Sequence, residues 1–125
     1  MSGLTLDAGA LIGFDRNDRK VVALIARTTE HGYSLAVPAG VVGQAWRDGR
    51  LQARLARLLA SAGVEIEPLD DLRAREAGQL CGATGTADVI DASVVLCARK
   101  HGHRIATSDV DDIRALDANA QIIAV

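Results

Sequence analysis

The sequence predicts a single α/β domain in which helices cover a short, mostly parallel central sheet. Length is the first observation behind this prediction, because 125 residues correspond to one domain of typical size. The second is composition, since 49% hydrophobic and 24% charged residues are the balance of a globular protein. The third is the alternation of short aliphatic runs with longer helical patterns. We therefore treat residues 1–125 as one domain.

Five short runs of β-branched and aliphatic residues are the predicted strands. Residues 64–67 alternate two apolar side chains with two glutamates, which predicts a half-exposed strand at an edge of the sheet. Residues 104–107 are expected in its interior. In chain order the predicted strands are residues 4–6, 34–37, 64–67, 104–107 and 121–124.

The predicted helices are recognised by apolar residues at helical spacing and by their end signals. Residues 17–31 have Asn17 as the expected N-cap and stop at Gly32. A short helix follows Pro38 and breaks at Asp48 and Gly49. In residues 51–62, leucines share one face and arginines another. In chain order the predicted helices are residues 17–31, 38–46, 51–62, 70–80, 86–100 and 109–116.

Charge and aromatic content exclude several classes of protein. The formal net charge of −2 argues against a general nucleic-acid coat or a polybasic membrane anchor. Because only 2% of the residues are aromatic, a nucleic-acid role has to depend on backbone contacts or chemistry rather than base stacking. No apolar stretch or export signal is visible, so we expect no membrane association and a cytoplasmic location. Cys81 and Cys97 are expected to be small buried side chains.

The aspartates fall at informative places in this pattern. Asp7 follows the first predicted strand and Asp109 the fourth, and the carboxyl ends of parallel strands line the crevice where ligands bind. Asp88 and Asp91 are three residues apart at the start of the long helix, so they project to one side of it. Asp88 by itself is explained equally well as a helix cap.

Converging carboxylates require a counter-charge. Two unit charges about 4 Å apart repel by about 4 kcal/mol at an effective dielectric of 20. A divalent cation removes this repulsion, and an all-oxygen ligand set favours Mg²⁺ or Mn²⁺ over zinc. Such an ion activates a water and orients it towards a phosphodiester.

Three segments, taken in order, resemble the PIN-domain family, and in size and motif order the VapC toxins of toxin–antitoxin pairs. They are residues 6–12 (Leu-Asp-Ala-Gly-Ala-Leu-Ile), 87–93 (Ala-Asp-Val-Ile-Asp-Ala-Ser) and 105–109 (Ile-Ala-Thr-Ser-Asp). The similarity covers essentially the whole chain. It implies a three-layer α/β/α fold and a Mg²⁺-dependent endoribonuclease, a hydrolase that cuts RNA and leaves a 5′-phosphate. It also implies inhibition by a VapB-type antitoxin, and a homodimer.

The resemblance assigns roles residue by residue. Asp7, Asp91 and Asp109 match the first, third and fourth acidic positions of the family. Thr107 matches the hydroxyl residue two places before the last acid. Asp7 and Asp91 would bind the metal most directly, while Asp109 would assist or hold a second ion or a water. Thr107 would orient Asp7 or the substrate phosphate.

The second acidic position departs from the family pattern, because Gln44 stands where a Glu is usual. A Gln carbonyl still accepts a hydrogen bond from a metal-bound water, but it brings no charge. We hypothesise that Asp88 supplies the missing carboxylate as a metal ligand; Asp48 is the weaker substitute because it lies in the Asp-Gly break. The opposing interpretation is a catalytically weakened PIN domain that binds RNA or an antitoxin.

Two further alternatives concern the basic residues and the reaction class. Arginines that recur at helical spacing form a stripe that either binds RNA phosphates or is a solvated outer face. A phosphatase or phospho-receiver fits poorly, because Asp7 is not followed by the second Asp of a D-x-D loop and no Lys follows the later strands. The stripe consists of Arg47, Arg50, Arg54 and Arg57.

Overall fold

The computed structural model describes residues 2–125 and contains a five-stranded sheet in which every pair of neighbouring strands is parallel. This confirms the predicted α/β fold. The strand order is β3-β2-β1-β4-β5, so residues 64–67 do form an edge strand. The strands are β1 (Leu4–Leu6), β2 (Leu35–Pro38), β3 (Val64–Glu67), β4 (Arg104–Thr107) and β5 (Ile122–Ala124).

Helices cover both faces of this sheet, in the three-layer arrangement that the resemblance implies. The first helix packs against the next three, and the sixth packs against the fifth and seventh. The helices of residues 2–125 are α1 (Ala8–Asp15), α2 (Arg19–Glu30), α3 (Ala39–Ala45), α4 (Ala53–Leu59), α5 (Asp71–Thr84), α6 (Val89–His101) and α7 (Val110–Leu116).

The strand order creates a crevice beside β1, the central strand. From β1 the chain builds β2 and β3 to one side, and later β4 and β5 to the other. Ligands of open parallel sheets bind at such a reversal, outside the carboxyl ends of the strands. Residues that directly follow β1 and β4 therefore flank the same crevice.

The core lies around β1, whose three residues are all buried. Leu4 and Leu6 are fully buried, as are Leu35 of β2 and Ile105 of β4. The expected burial of Cys81 and Cys97 is confirmed. No single helix of residues 2–125 is long and apolar enough to span a bilayer, and α5 and α6 pass that test only as a pair bent by 105°.

Helix α1 was absent from the predicted elements. It is eight residues long and contains two glycines, which weaken its periodicity signal. It forms because Asp7 caps its first turn: the Asp7 Oδ1 atom accepts a hydrogen bond of 2.9 Å from the Ala10 amide. Asp7 thus ends the first strand and starts a helix.

Two other boundaries were predicted wrongly. Asn17 is not the N-cap of α2; it has a φ of 60°, and Asp18 caps the helix by accepting from the Val21 amide. The third predicted helix is much shorter than residues 51–62, because residues 46–52 form a turn that Gln52 holds with several hydrogen bonds. Leu51, expected on the buried face, is 81% exposed.

Candidate active site

Asp7 is the most firmly held carboxylate at the crevice. It is 5% exposed, and its Oδ1 atom is engaged by the Ala10 amide. Its Oδ2 atom accepts a 2.5 Å hydrogen bond from the Thr107 hydroxyl and a 3.3 Å bond from the Ser108 amide. Burial raises the pKa of Asp7, and these three hydrogen bonds oppose the increase by stabilising the charged form.

Thr107 connects the ends of the two central strands. Its hydroxyl donates to Asp7 and accepts a 2.9 Å hydrogen bond from the Asp109 amide. The side chain is fully buried, so few other orientations are open to it. Thr107 is therefore in direct contact with Asp7, as the first of the two roles that the resemblance implies for it would require.

Gly9 allows α1 to approach the loop after β4 closely. A Cβ atom at Gly9 would lie 2.0 Å from the Ser108 Oγ atom and 3.4 Å from the Asp7 Oδ1 atom. Any larger residue would have to push this loop away from Asp7. The glycine is thus a condition for the geometry around Asp7.

Asp88 and Asp91 lie together at the start of α6. The Asp88 Oδ1 atom caps the helix by accepting from the amides of Ile90 and Asp91, each at 2.9 Å. Neither bond uses the Oδ2 atom, so capping leaves one oxygen of Asp88 for another partner. The two interpretations of Asp88 are therefore compatible.

The sequence interpretation did not include Asp112, which also lies at the candidate site. It lies on α7, one turn after Asp109, and both side chains are exposed beside a shallow depression lined by residues 108–112. Its negative charge acts on Asp91 more strongly than that of Asp109 does. The sequence signal that could have identified Asp112 is its spacing of three residues from Asp109, because residues three apart lie on one face of a helix.

The electrostatics of Asp91 show that these acids converge. Partial burial and four neighbouring carboxylates together raise the pKa of Asp91 to about 6. After burial, the contributions decrease in the order Asp88, Asp112, Asp109 and Asp7. These five aspartates are called the carboxylate cluster below. Within residues 2–125, no Lys, Arg or His forms an ion pair with any of them.

The carboxylate oxygen atoms of the cluster lie farther apart than those that enclose an ion with protein ligands alone. Among the described residues, no three of its members have oxygen atoms within 4.8 Å of one another. Mg²⁺ gives up its waters reluctantly and is usually bound through one or two carboxylates. The donor set therefore fits a hydrated Mg²⁺ or Mn²⁺ ion, with some carboxylates acting through water.

Gln44 lies on the side of α3 that faces the start of α6. Gly40 is one helical turn before it, and a Cβ atom at Gly40 would lie 2.4 Å from the Ile90 Cδ1 atom. Gln44 itself is exposed. The amide side chain therefore stands next to the helix that carries Asp88 and Asp91, without adding charge.

The arginine stripe does not exist as one helical face. Arg47 and Arg50 lie in the turn between α3 and α4, whereas Arg54 and Arg57 lie on α4. Arg47 donates to the Gly43 and Trp46 carbonyls, and Arg50 forms an ion pair of 3.1 Å with Asp48. Arg50 holds the pKa of the Asp48 carboxyl below its usual value. A cavity on α4 is lined by two arginines of this set together with neighbouring residues, namely Phe14, Arg54, Arg57, Leu58 and Ser61.

Structural comparison finds the same fold in proteins from toxin–antitoxin systems. VapBC2 from Rickettsia felis, bound to a DNA fragment from its promoter, gives a TM-score of 0.71 at 12% identity, with 98% of each chain covered. FitAcB from Neisseria gonorrhoeae gives 0.64 at 18% identity and 96% of each chain. VapC20 from Mycobacterium tuberculosis, described as a sarcin-ricin loop cleaving toxin, gives 0.61 at 16% identity, with 84% of this chain and 87% of that chain covered.

Sequence comparison is consistent with the structural one. No curated protein sequence matches the chain. The model of the PIN domain matches residues 4–119, which include all five members of the carboxylate cluster. Because this match covers most of the sequence, the chain belongs to the PIN-domain family.

Proposed function

We propose that this protein is a Mg²⁺- or Mn²⁺-dependent endoribonuclease of the VapC type, which hydrolyses RNA phosphodiester bonds. The observation that carries the proposal is the carboxylate cluster, in which Asp7 and Asp109 follow β1 and β4 and, with Asp88 and Asp112, contribute to the raised pKa of Asp91. Membership of the PIN family and the toxins among the similar structures support it.

In this proposal Asp7 and Asp91 hold the cation most directly. Asp7 is suited to this because Thr107 and the Ala10 amide fix its orientation. Asp91 is suited because burial and the neighbouring carboxylates raise its pKa, and a cation offsets both effects. When bound, the divalent ion supplies Lewis-acid polarisation of the phosphodiester and of the attacking water.

The remaining members of the cluster act around this pair. Asp109 and Asp112 are exposed, so they orient water at the mouth of the crevice or hold a second ion. Asp88 contributes its Oδ2 atom while its Oδ1 atom caps α6. Gln44 accepts a hydrogen bond from water where the family usually places a carboxylate.

Substrate binding in the proposal depends on the arginines of residues 47–57. Arg54 is the strongest candidate, because Arg47 and Arg50 already bind protein oxygens. Each phosphate contact to single-stranded RNA contributes about 0.7 to the slope of log affinity against log salt. Arg54→Gln is therefore expected to reduce that slope by about 0.7, measured by RNA binding in Ca²⁺ at several salt concentrations.

A VapB-type antitoxin, a homodimer and a cytoplasmic location complete the proposal. The antitoxin is supported by the similar structures, one of which is a toxin–antitoxin complex from Klebsiella pneumoniae; the homodimer follows from the family resemblance alone. On this chain, Leu24 of α2 remains half-buried and lines a cavity together with Ile123 of β5. This cavity is where we expect an apolar helix of an antitoxin to dock.

The test is cleavage of a structured RNA. Wild type should cut in Mg²⁺ and stop in EDTA, and Asp7→Asn should lose at least about 1000-fold in rate, the loss of about 4 kcal/mol of transition-state stabilisation. Asp71→Asn, an exposed aspartate in the first turn of α5, is the matched control and should cut normally. Cleavage that persists in EDTA would overturn the mechanism. RNA binding without cleavage would favour the weakened PIN domain, which the Gln at position 44 makes the second candidate.

A further inference from the structure

A second group of potential metal ligands lies outside the carboxylate cluster. Glu67 ends the edge strand β3, and Cys97 and His101 are four residues apart on α6. One ligand atom from each of these residues lies within 4.8 Å of the other two. Because residues four apart share one face of a helix, the thiol and the imidazole both face Glu67.

Two of these ligand atoms are buried without a hydrogen-bond partner. They are the Glu67 Oε2 and His101 Nε2 atoms, which lie 3.3 Å apart and still form no hydrogen bond. The Glu67 side chain is only 6% exposed. Since an unsatisfied buried carboxylate oxygen is costly, a cation bound at this point would stabilise the arrangement.

The separations match those between ligands of a tetrahedral zinc ion. Zinc bonds of about 2.0 to 2.1 Å to nitrogen and oxygen place two such ligands about 3.3 Å apart in a tetrahedron. The His101 Nε2 atom lies 3.3 Å from the Glu67 Oε2 atom and 3.2 Å from the Glu65 Oε2 atom. One imidazole N–H cannot serve both carboxylates, whereas a cation can bind the imidazole and the Glu67 carboxylate at the same time.

Neighbouring side chains support the ligands in the way that metal sites require. Arg73 forms a 2.6 Å ion pair with the other oxygen of Glu67, which leaves the Oε2 atom directed at Cys97 and His101. The Thr5 hydroxyl donates to the Cys97 Sγ atom at 3.8 Å. Burial and the Glu67 carboxylate raise the pKa of the Cys97 thiol to about 12, an increase that a bound cation would reverse. Lys100 lies 3.9 Å from Glu67, but its side chain is 59% exposed and is free to turn towards solvent.

We propose that Glu67, Cys97 and His101 bind a Zn²⁺ ion, and that the exposed Glu65 side chain turns towards the ion as the fourth ligand. Thiolate, imidazole and carboxylate together favour zinc over Mg²⁺, which prefers oxygen ligands alone. Binding replaces the Cys97 thiol proton, which passes to solvent, by the S–Zn bond. The ion would tie the edge strand β3 to the end of α6.

This site is separate from the carboxylate cluster and does not depend on the proposed nuclease activity. His101 follows Asp91 by ten residues on α6, a distance of about 15 Å along the helix axis. The expected effect is therefore structural: zinc should stabilise the fold, and it should fix the exposed edge of the sheet.

The test is Co²⁺ and Zn²⁺ binding to the purified full chain in excess Mg²⁺, which occupies the carboxylate cluster. Co²⁺ should give a thiolate-to-metal charge-transfer band with one ion per chain, and Zn²⁺ should remove the band and raise the Tm. Cys97→Ala should abolish the band, and His101→Gln should weaken binding by at least about tenfold.

Cys81→Ala is the matched control, because Cys81 is the other buried cysteine and lies outside this group. It should leave the band, the stoichiometry and the Tm increase unchanged. His101→Gln keeps the proposal testable if Cys97→Ala does not fold. His101 lies at the end of α6, outside the core, so its replacement should leave the protein folded. Absence of the band in folded wild type, or a Zn²⁺-induced Tm increase that survives in Cys97→Ala, would overturn the proposal.

Discussion

Replacing Asp91 by Asn should stabilise the metal-free protein at neutral pH while impairing its activity. The increase in the pKa of Asp91 from 3.8 to about 6 corresponds to about 3 kcal/mol for a fully buried group. Because Asp91 is half-exposed, screening by solvent reduces this to about 1 to 2 kcal/mol. Loss of a charge from the first turn of α6 costs about 0.5 kcal/mol. The net gain is about 1 kcal/mol, or a Tm increase of about 4 °C.

The pH dependence of this gain follows from the direction of the pKa shift. Between about pH 4 and pH 6 the folded protein holds a proton on Asp91 that the unfolded chain has lost. The charged Asp91 carboxylate therefore lowers the free energy of unfolding by its full amount above pH 6. This destabilisation is lost as the pH falls towards 4. Asp91→Asn should stabilise the fold at pH 7.5, and this advantage should be mostly gone at pH 4.5.

The assay is urea unfolding in EDTA at both pH values, with Asp71→Asn as the control. Asp71 is also in the first turn of a helix, but it is 81% exposed and its ion-pair partner is Arg75. The control should lose a few tenths of a kcal/mol. Mg²⁺ at ten times its Kd should stabilise wild type by about 1.4 kcal/mol and Asp91→Asn by much less. A loss of stability in Asp91→Asn at pH 7.5, equal to that of the control, would refute the proposed charge repulsion.

Three further substitutions test individual contacts. Thr107→Val should destabilise the fold by about 1 to 3 kcal/mol and slow RNA cleavage, because the Asp7 Oδ2 atom loses its shortest hydrogen bond; Thr107→Ser should restore both quantities. Asp88→Asn keeps a capping side chain but removes the charge. Thermal stability should therefore hardly change, while the Kd for Mg²⁺ rises several-fold. An unchanged Kd would show that Asp88 acts only as a helix cap. Gln44→Glu should lower the Kd for Mg²⁺ and destabilise the metal-free protein, and an unchanged Kd would place Gln44 outside the site.

The parts of the fold that the sequence predicted depend on local signals. All five strands and the order of the helices after α1 follow from periodicity and from stop signals such as Gly102, whose φ is 67°. Asp7 and Asp109 could be assigned to one crevice because each follows a strand of a parallel sheet. The relation between Thr107 and Asp7 was implied by the family resemblance.

The parts that could not be predicted depend on contacts between distant segments. Helix α1 forms through the Asp7 cap although its glycines weaken the helical pattern. The turn before α4 is held by Gln52, whose hydrogen bonds reach Asp15 and Ala45. Because such bonds leave no periodicity in the sequence, the arginine spacing was misinterpreted as one helical face.

The group around Cys97 was missed for the same reason. Glu67 precedes Cys97 by 30 residues, and only the packing of α6 beside β3 brings them together. The sequence interpretation assigned no catalytic role to His101, because it does not match any of the site positions of the family.

The central claim is that the carboxylate cluster is a cation site controlled by Asp91, and Mn²⁺ binding measured by electron paramagnetic resonance tests it most directly. Wild type should bind Mn²⁺ at pH 7.5, and its Kd should rise about tenfold at pH 5, where a carboxyl with a pKa of about 6 is about one-tenth ionised. Asp91→Asn should bind weakly at both pH values. Equal Mn²⁺ affinity in wild type and Asp91→Asn at pH 7.5 would contradict the claim.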